Sequence, residues 1–371
     1  MTRIVVTGGD GFIGRNLRLR LQELGHTAIT SLEWDTPAEV RAAALAEAEF
    51  VFHLAGVNRP PDPSEFDTGN RGVTVEICDA LRAAGGRCAL VFSSSVQAAL
   101  ENPYGRSKRA AEEEIARYGA DTGAPALVLR LANVFGKWSR PNYNSAVATF
   151  CHNIARGLPI TINDLSSPLQ LVYVDDVVTT MIGLLEAPAS ASGEVTAGPV
   201  YRTTVGELAE QIRRFAGSRA TRITDRVGEG FTRALYSTYL SFLPPADFAY
   251  SLVTHTDPRG SFAEILKTPD CGQFSFFTAH PGVTRGGHYH HTKTEKFLVV
   301  QGRARFGFRH VLTGETFTLE TRGDDARVVE TVPGWAHDIT NIGDDPMIVL
   351  LWANEQFDPQ RPDTISAQVH P

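Results

Sequence analysis

Short runs of apolar, β-branched residues alternate with longer amphipathic stretches from residue 1 to about residue 187. Four of the short runs are apolar on both strand faces, which is typical of buried parallel strands. They are Ile4 to Thr7, Phe50 to Leu54, Ala89 to Ser93 and Ala126 to Arg130. Ala- and Glu-rich helical patterns lie between them, and Val205 to Phe215 predicts a further helix. The alternation predicts a doubly wound α/β sheet.

The pattern changes toward the C-terminus, where Gly and Pro separate many short runs. Examples are Lys296 to Val300, Arg303 to Phe308 and Met347 to Trp352, which have little helical spacing. These runs predict an all-β barrel or sandwich. Segment 235–245 ends in two prolines and is predicted to be the joint. We therefore expect one domain over residues 1–245 and a second over residues 246–371.

Composition narrows the class of protein. A chain of 371 residues with 42% hydrophobic and 21% charged residues is ordinary for two globular domains. A formal net charge of −7 without a basic cluster argues against a nucleic-acid partner. No apolar run approaches the roughly 20 residues of a membrane-spanning helix, and the four cysteines form no CxxC pair. We expect a cytoplasmic protein that binds neither nucleic acid nor membrane.

The first chemical motif is Thr7-Gly-Gly-Asp-Gly-Phe-Ile-Gly14, directly after the first predicted strand. Gly8, Gly11 and Gly14 are spaced for a tight turn, close approach of pyrophosphate to backbone, and close helix packing. The N-terminus of the following helix offers N–H groups to phosphate. A glycine-rich turn without a ligand is the alternative, because such patterns also occur by accident. The motif predicts a dinucleotide site.

A second motif combines a serine-rich strand end with a helix that carries Tyr104 and Lys108. These two residues are four apart and share one helix face, so the ammonium is expected to lower the phenol pKa toward neutrality. Tyr104 would then donate a proton near pH 7, and Ser95 or Ser94 would hold the substrate oxygen. Tyrosine-lysine pairs and serine turns are each common alone. Together and in this order, they predict an acid/base site.

Residues 1–245 resemble the extended short-chain dehydrogenase/reductases that act on nucleotide sugars. The resemblance rests on the Gly turn, His53-Leu-Ala-Gly56, the serine-rich strand end, the tyrosine-lysine pair and Arg130-Leu-Ala-Asn-Val-Phe-Gly136. It implies that Tyr104 is the catalytic acid/base, that Lys108 is its modulator and a ribose ligand, and that Ser95 is favoured over Ser94 as the catalytic hydroxyl.

The same resemblance implies the binding residues. Asn133 and Asn144 are the implied substrate contacts. The implied coenzyme contacts belong to the Gly turn, the third strand and the catalytic helix: Gly8, Gly11, Phe12, Ile13, Gly14, Arg15, Leu54, Ala55, Gly56, Tyr104 and Lys108.

The coenzyme type is open from the residues alone. Glu33 and Asp35, after the second predicted strand, suit a ribose 2′-hydroxyl and repel a 2′-phosphate, whereas Arg15 could bind that phosphate. The resemblance favours NADPH, with NADH not excluded. Two nearby polar positions have structural interpretations: we expect His53 to pack at a strand end and Glu112 to Glu114 to form a solvated helix face.

The C-terminal half contains Gly282-x5-His288-x-His290-x4-Glu295-x6-Gly302 and Pro333-Gly-Trp-Ala-His337-x3-Asn341. Both stretches resemble cupin motifs, and the resemblance covers residues 246–371. His288 and His290 project from the same strand face, and Glu295 and His337 are expected to converge on them. Three imidazoles and a carboxylate suit Zn²⁺, with Mn, Fe or Ni also possible. A cupin without metal is the alternative.

A second resemblance of this half is to cupin epimerases that act on nucleotide-linked 4-keto-6-deoxysugars. It rests on Asp257-Pro-Arg-Gly-Ser-Phe-Ala-Glu264 and on Arg285-Gly-Gly-His288 with Glu295-Lys296. Arg259, Phe262 and Glu264 would hold the nucleotide, His288 falls at the base position, and Lys296 at that of a basic partner. A metal-bound His288 cannot accept a proton, so His291 or Lys296 is then the expected base.

Several stretches spread over the chain carry a further resemblance: His53-Leu-Ala-Gly-Val-Asn-Arg59, Asn102-Pro-Tyr104, Gly136-Lys-Trp138, Lys293 to Val300 and Phe357-Asp-Pro359. By these stretches the full chain resembles the bifunctional capsular polysaccharide enzymes that make UDP-2-acetamido-2,6-dideoxy-β-L-talose. The resemblance implies a cupin that inverts C3 of a UDP-linked 4-keto-6-deoxy-N-acetylhexosamine, a reductase that then delivers hydride to C4, and a homodimer. One alternative is a simple 4-ketoreductase whose cupin only dimerises or binds substrate. Another is a redox-sensing binding protein without catalysis, which the intact serine-tyrosine-lysine set disfavours.

Overall fold

The computed structural model describes residues 2–187, 193–257, 260–263, 265–266, 268, 272–355 and 358–370, with 254–257, 260–263 and 273 described by backbone alone. The chain forms two compact units. Unit 1 comprises Met1–Phe135, Tyr143–Ser145 and Leu169–Arg202, and unit 2 comprises Gly136–Asn142, Ala146–Pro168 and Thr203–Pro371. The two-domain division at residue 245 stays a prediction.

Eight α-helices lie in the described part of the chain: α1 (Phe12–Glu23), α2 (Ala38–Glu47), α3 (Val73–Ala83), α4 (Pro103–Thr122), α5 (Ala146–Ala155), α6 (Val174–Glu186), α7 (Val205–Thr221) and α8 (Gly230–Ser241). A π-helical turn, Asp67–Gly72, precedes α3, and short 3₁₀ turns occupy Val96–Ala99 and Pro245–Asp247. Among the described residues, no helix has both the length and the apolar character needed to cross a bilayer.

The strands of unit 1 and its border are β1 (Ile4–Thr7), β2 (Ile29–Leu32), β3 (Phe50–His53), β4 (Ala89–Ser95), β5 (Ala126–Leu131), β6 (Asn133–Phe135), β7 (Pro168–Tyr173), β8 (Gly193–Val195) and β9 (Val200–Thr204). Those that follow are β10 (Ala249–Ser251), β11 (Thr254–Asp257), β12 (Gly260–Ala263), β13 (Gln273–Ala279), β14 (Thr284–Tyr289), β15 (Glu295–Gln301), β16 (Arg303–His310), β17 (Thr316–Arg322), β18 (Arg327–Glu330), β19 (Trp335–Asn341), β20 (Met347–Ala353) and β21 (Ile365–Ser366).

Unit 1 is built on a parallel sheet with strand order β2-β1-β3-β4-β5-β8. Alternate residues of β1 enter different cores: Ile4 and Val6 pack with residues of α1 and α6, and Val5 packs with residues of α2, α3 and α4. Because helices cover both faces, every residue of β1 and β3 is buried. The predicted doubly wound parallel sheet is confirmed.

Unit 2 contains two five-stranded antiparallel sheets, ordered β10-β18-β15-β20-β13 and β17-β16-β19-β14-β21. Phe248, which directly precedes β10 of the first sheet, packs on the second sheet, with its ring 5.4 Å from that of Phe308 on β16 and 5.1 Å from that of Trp335 on β19. The predicted β-rich C-terminal half is therefore confirmed as antiparallel sheets.

Segment 235–245, predicted as the joint, begins inside α8, which contains residues 235–241, and its role as a joint stays a prediction. Leu235, Tyr236, Tyr239 and Leu240 are buried, and their spacing marks one face of a helix. The prolines Pro244 and Pro245 lie beyond the end of α8 and do not interrupt it.

A buried ionic group joins α7 to the antiparallel sheets within unit 2. Glu330 on β18 accepts hydrogen bonds from Lys296 on β15 and from Arg219 on α7, and all three lie in protein interior. Both cations also face the ring of Tyr250, at 5.4 Å for Lys296 and 5.2 Å for Arg219. Such a group is costly to break, since each remaining charge would be buried without a partner.

Candidate functional site

The Gly turn of unit 1 forms a backbone cradle between β1 and α1. Gly8 has φ +67°, and a Cβ on it would lie 2.9 Å from backbone atoms of Ala55. A Cβ on Gly14 would lie 2.3 Å from the Gly8 carbonyl oxygen, so neither position accepts a side chain. Gly11 caps α1 without a side-chain hydrogen bond, which leaves helix N–H groups for an anion.

A cavity of about 540 Å³ opens beside this cradle. Among the predicted coenzyme residues, its wall includes Gly8, Gly11, Leu54, Ala55 and Gly56. Its described wall does not include the other predicted contacts, which are Phe12, Ile13, Gly14, Arg15, Tyr104 and Lys108. The volume and the glycine cradle fit a dinucleotide, whose pyrophosphate needs closely approaching backbone N–H groups.

Ser95 and Tyr104 meet at the carboxyl end of β4. Asn102 caps α4 by accepting a hydrogen bond from the Gly105 N–H at 2.7 Å, with Pro103 in the first turn. The cap fixes the helix start that carries Tyr104, whose phenol is hydrogen-bonded with the Ser95 hydroxyl. The rival Ser94 is buried and donates to Glu112.

Lys108 is buried on the same helix face and donates to the Ser93 carbonyl oxygen at 3.0 Å. A Cβ on Gly56 would lie 3.1 Å from its Nζ, which places the ammonium beside the cavity wall. Burial lowers the pKa of Lys108 to about 8, although Glu112 opposes the shift.

The predicted lowering of the Tyr104 pKa is wrong for the coenzyme-free protein. Burial raises the pKa of Tyr104, and the hydrogen bond with Ser95 opposes this only in part. The physical reason is that burial destabilises the charged phenolate by more free energy than its polar neighbours restore. Tyr104 is therefore a protonated phenol at neutral pH, which is the form a proton donor needs.

Asn70 is a residue of this region that the sequence did not indicate. Its side chain accepts from the Val57 N–H and donates to the Val57 carbonyl oxygen, both at 2.9 Å, and it donates to Ser107 Oγ at 3.0 Å. It thereby ties the cavity wall after β3 to the catalytic helix. The signal in the sequence was an asparagine inside a helical stretch, because an amide that is buried there needs hydrogen-bond partners.

The predicted substrate residues are placed as follows. Asn133 on β6 and Asn144 are exposed, and Arg59 donates to the backbone carbonyl of Tyr143, next to Asn144. Arg259 and Glu264 lie outside the described residues, as does the side chain of Phe262.

His288, His290, Glu295 and His337 converge in unit 2, with ligand atoms all within 4.8 Å of one another. β14 carries His288, β19 carries His337, and Glu295 begins β15. Glu295 Oε2 lies 3.1 Å from His290 Nε2 and 3.5 Å from His337 Nε2. Such separations suit donors about 2 Å from one shared ion.

The charge states of this cluster also fit a metal. Burial, with help from the neighbouring imidazoles, lowers the pKa of His288 to about 3. Burial also lowers the pKa of His337. Burial opposes ionisation of Glu295, but His290 and His337 hold its pKa well below the usual value. Neutral imidazoles with a carboxylate form the donor set that Zn²⁺ and similar ions prefer.

The turn between His290 and Glu295 is held by the C-terminal segment. Asp363 accepts from His290 Nδ1 through its carbonyl at 2.6 Å, which leaves Nε2 facing the cluster. Its carboxylate accepts from the N–H groups of His291, Thr292 and Lys293 at 3.0, 2.8 and 2.7 Å. Burial opposes this charge, but His291 and the backbone donors lower the pKa of Asp363 to about 2.

Helix α8 holds the same turn from its other side. Arg233 Nε donates to Thr292 Oγ1 at 3.1 Å, and Ser237 Oγ donates to the Thr292 carbonyl oxygen at 2.8 Å. Asn354 accepts from the Thr294 N–H at 3.0 Å. The turn thus has fixed hydrogen bonds at nearly every residue.

The two predicted bases, Lys296 and His291, are not among the four clustered residues, and their role as a base stays a prediction. Neighbouring residues of a strand face opposite sides, so Lys296 points away when Glu295 points in. Its contacts are Glu330 and Tyr250. His291 faces Tyr289, with ring centroids 5.6 Å apart, whereas His288 faces His290. Glu330 further raises the pKa of Lys296 against the effect of burial, so this ammonium keeps its proton.

The fold and the glycine cradle define a dinucleotide-binding enzyme of the extended short-chain dehydrogenase/reductase type. The chain belongs to the NAD dependent epimerase/dehydratase family, whose profile matches residues 4–197. A second profile, the polysaccharide biosynthesis C-terminal domain, matches residues 255–365.

Two similar proteins span the whole chain. UDP-2-acetamido-2,6-beta-L-arabino-hexul-4-ose reductase from Pseudomonas aeruginosa is 54% identical over 99% of each chain. The crystal structure of the capsular polysaccharide assembling protein CapF from Staphylococcus aureus is 42% identical, with a TM-score of 0.69 over 99% of this chain and 100% of that one.

A third similarity is confined to part of the chain. UDP-glucose 4-epimerase from Thermus thermophilus, solved in complex with NAD, is 25% identical with a TM-score of 0.50. The match covers 58% of this chain and 84% of that one.

Proposed function

We propose that the protein is a bifunctional nucleotide-sugar enzyme, which epimerises C3 of a UDP-linked 4-keto-6-deoxy-N-acetylhexosamine and then reduces its C4 ketone. The product is UDP-2-acetamido-2,6-dideoxy-L-talose, made for capsule or O-antigen synthesis. The observation that carries the proposal is that one chain holds two groups of reactive side chains: Ser95 with Tyr104 in the unit that contains the glycine cradle and its cavity, and the cluster of His288, His290, Glu295 and His337 in the other. Full-length similarity to a protein named as a UDP-sugar reductase supports the substrate class.

In the reduction, the coenzyme supplies hydride to C4. Tyr104, held protonated by burial, gives its proton to the ketone oxygen as negative charge develops there. The Ser95 hydroxyl positions that oxygen beside the phenol. Lys108, beside Gly56 on the cavity wall, is proposed to hold the coenzyme ribose and to favour the phenolate that remains after proton transfer.

In the epimerisation, the C4 ketone acidifies the hydrogen on C3. A divalent ion bound by His290, Glu295 and His337 would polarise that ketone. His288 is proposed as the proton acceptor and not as a fourth ligand, because it is the only partly exposed member of the cluster, and a proton from solvent would then return to the opposite face of C3. Arg259, Phe262 and Glu264 stay the proposed nucleotide contacts, and Asn133 and Asn144 stay the proposed sugar contacts.

The shared ketone explains why both sites belong to one enzyme. It is needed for the exchange at C3, and its reduction removes the acidity that made C3 labile, which fixes the new configuration. Zinc as the ion, the cupin character of the antiparallel sheets, a homodimer and a cytoplasmic location stay predictions.

The test is NMR of the UDP-linked 4-keto-6-deoxy amino sugar with the metal-loaded protein in D₂O. We expect deuterium at C3 without coenzyme, and a C4-reduced, C3-deuterated product after NADH or NADPH is added. Reduction without prior exchange would leave the alternative, a simple 4-ketoreductase whose second unit dimerises or binds substrate. If neither exchange nor reduction occurs, both enzyme functions are refuted and a binding protein remains.

A further inference from the structure

We infer that Trp138 is a positioning residue of the cluster in unit 2, where it holds the backbone that carries His290 and His337. Trp138 follows β6 of unit 1 in the sequence and falls within the epimerase/dehydratase profile, but segment 136–142 packs as part of unit 2. Its φ is +68°, in the left-handed region that a bulky aromatic residue rarely occupies. Such a conformation persists only where the surroundings hold it, and it is typical of functional sites. The inference rests on the proposed function for the presence of a metal.

The indole of Trp138 lies against Gly334, in the turn before β19. A Cβ on Gly334 would lie 2.8 Å from Trp138 Cζ2 and 3.1 Å from Cε2, and Gly334 has φ +81°, so only glycine fits. The Gly334 N–H donates to the His290 carbonyl oxygen at 3.0 Å, and the Gly334 carbonyl accepts from the Val311 N–H at 3.1 Å. The indole therefore packs on the residue that fixes the backbone of His290.

A second contact leads from the indole toward His337. Trp138 Nε1 donates to His310 Nε2 at 3.0 Å, and the His310 ring lies edge-on to Trp335 at 5.2 Å. His310 and Trp335 are a cross-strand pair of β16 and β19, and the next pair on the same sheet face is Phe308 with His337. The indole thus contacts the pair that adjoins a proposed metal ligand.

Trp138 is fixed from its own segment as well. Lys137 is buried, with its ammonium 5.2 Å from the centre of the indole ring. Ser139 Oγ donates to the Gly136 carbonyl oxygen at 2.8 Å. Because the indole is held on both sides, a change in its size is expected to move Gly334 and His310.

The test is titration of the metal-free protein with Co²⁺, followed by the absorption spectrum and by competition with a chelator. Trp138→Phe keeps an aromatic ring but removes the indole N–H and the atoms that face Gly334. We expect Co²⁺ affinity to fall about tenfold, as for other residues that orient metal ligands, and the absorption bands to shift.

Trp352→Phe is the matched control, the same change at a buried position of unit 2. In the described part of the chain Trp352 Nε1 has no hydrogen-bond partner, and Trp352 pairs with Lys296 on the sheet face that points away from the cluster. Affinity and spectrum should stay as in the wild type.

Unchanged Co²⁺ affinity and spectrum in Trp138→Phe would overturn the inference, as would an equal loss in Trp352→Phe. Both outcomes leave the proposed function intact. A wild type that does not bind Co²⁺ would contradict the proposed metal site and the inference together.

A measurement on the wild-type sequence covers the case in which Trp138→Phe does not fold. The four tryptophans are replaced by fluorotryptophan, and fluorine NMR is recorded as Zn²⁺ is added to the metal-free protein. Trp34→Phe, Trp335→Phe and Trp352→Phe assign the signals. We expect the Trp138 signal to shift and that of Trp34, 80% exposed in unit 1, to stay. A Trp138 signal that does not respond to Zn²⁺ would overturn the inference.

Discussion

The cavity of unit 1 opens beside a glycine cradle that is made of backbone, whereas the cluster of unit 2 consists of four side chains with ligand atoms within 4.8 Å of one another. The cradle is set by strand ends and by positions where no Cβ fits. The cluster needs support from outside its own strands, through Asp363 and α8. The glycine cradle therefore depends on the local geometry of the chain. The four-residue cluster depends on contacts with distant parts of the sequence.

The largest expected effect comes from cutting the chain where the sequence places its joint. A fragment of residues 1–245 would leave Arg219 without Glu330 and Ser237 without the Thr292 carbonyl oxygen, and would expose the buried face of α8. We expect the fragment to lose the helical signal of α7 and α8 and to aggregate. Circular dichroism and light scattering measure this. A soluble monomer with cooperative unfolding would show that these helices fold without the antiparallel sheets.

Tyr104→Phe removes the proposed proton donor and keeps the ring. We expect reduction of the 4-keto sugar to slow by about 10³-fold, because general acid catalysis of this kind contributes about 10²–10⁴-fold. Stopped-flow oxidation of the coenzyme measures the rate. Tyr201→Phe, the same change at a partly exposed residue of β9, is the control, and a similar loss there would point to a general structural defect.

Asp363→Asn tests the support of the second site. One of the fixed acceptor oxygens becomes an NH₂ group, which opposes the N–H groups of His291 to Lys293. We expect metal affinity to fall by about 10–100-fold, as for other residues that orient ligands, with an altered Co²⁺ absorption spectrum. Asp358→Asn is the control, since among the described residues the Asp358 carboxylate accepts only from the Gln360 N–H. If metal affinity and the Co²⁺ spectrum are unchanged in Asp363→Asn, Asp363 does not position the metal ligands.

The sequence predicted the strands and the Gly turn of unit 1. It did not predict the hydrogen bonds by which Asp363 and α8 hold the second site. The parallel strands and the Gly turn follow from local period and turn chemistry, so they were predicted within a few residues. Asp363 lies 73 residues from His290, and no local pattern joins them. Glu112, predicted as solvated, is instead buried against Arg130 and Ser94, because pairing across 18 residues overrides its surface preference.

The position of Lys296 outside the cluster had a signal in the sequence. Strand parity alone puts Glu295 and Lys296 on opposite faces of β15. A resemblance that assigns both neighbours to one site therefore conflicts with the period of the strand. Parity would have kept His288, which shares its face with His290.

The smallest expected effect concerns the buried histidine of unit 1. Both ring nitrogens of His53 lie within 2.9 Å of threonine hydroxyls, Thr7 and Thr74, and burial lowers its pKa to about 3. The unfolded chain takes up a proton below about pH 6.5, whereas the folded chain does not. Stability is therefore complete above pH 6.5 and falls as pH decreases, by about 2 kcal/mol at pH 5.

His53→Gln removes this proton linkage. We expect the loss in free energy of unfolding between pH 7.5 and pH 5 to shrink by about 2 kcal/mol in the variant, measured by urea denaturation. The variant is less stable at pH 7.5, so only the difference between the two pH values is compared. If the free energy of unfolding falls by the same amount between pH 7.5 and pH 5 in the wild type and in His53→Gln, the assignment of this pH dependence to His53 is contradicted.

The most direct test of the central claim, that each unit performs its own chemistry, is C3 hydrogen exchange in two variants. Tyr104→Phe and His337→Ala, each with metal and without coenzyme, are incubated with the 4-keto sugar in D₂O and followed by NMR. The account predicts wild-type exchange in Tyr104→Phe and none in His337→Ala. Exchange that persists in His337→Ala, or that disappears in Tyr104→Phe, would contradict it.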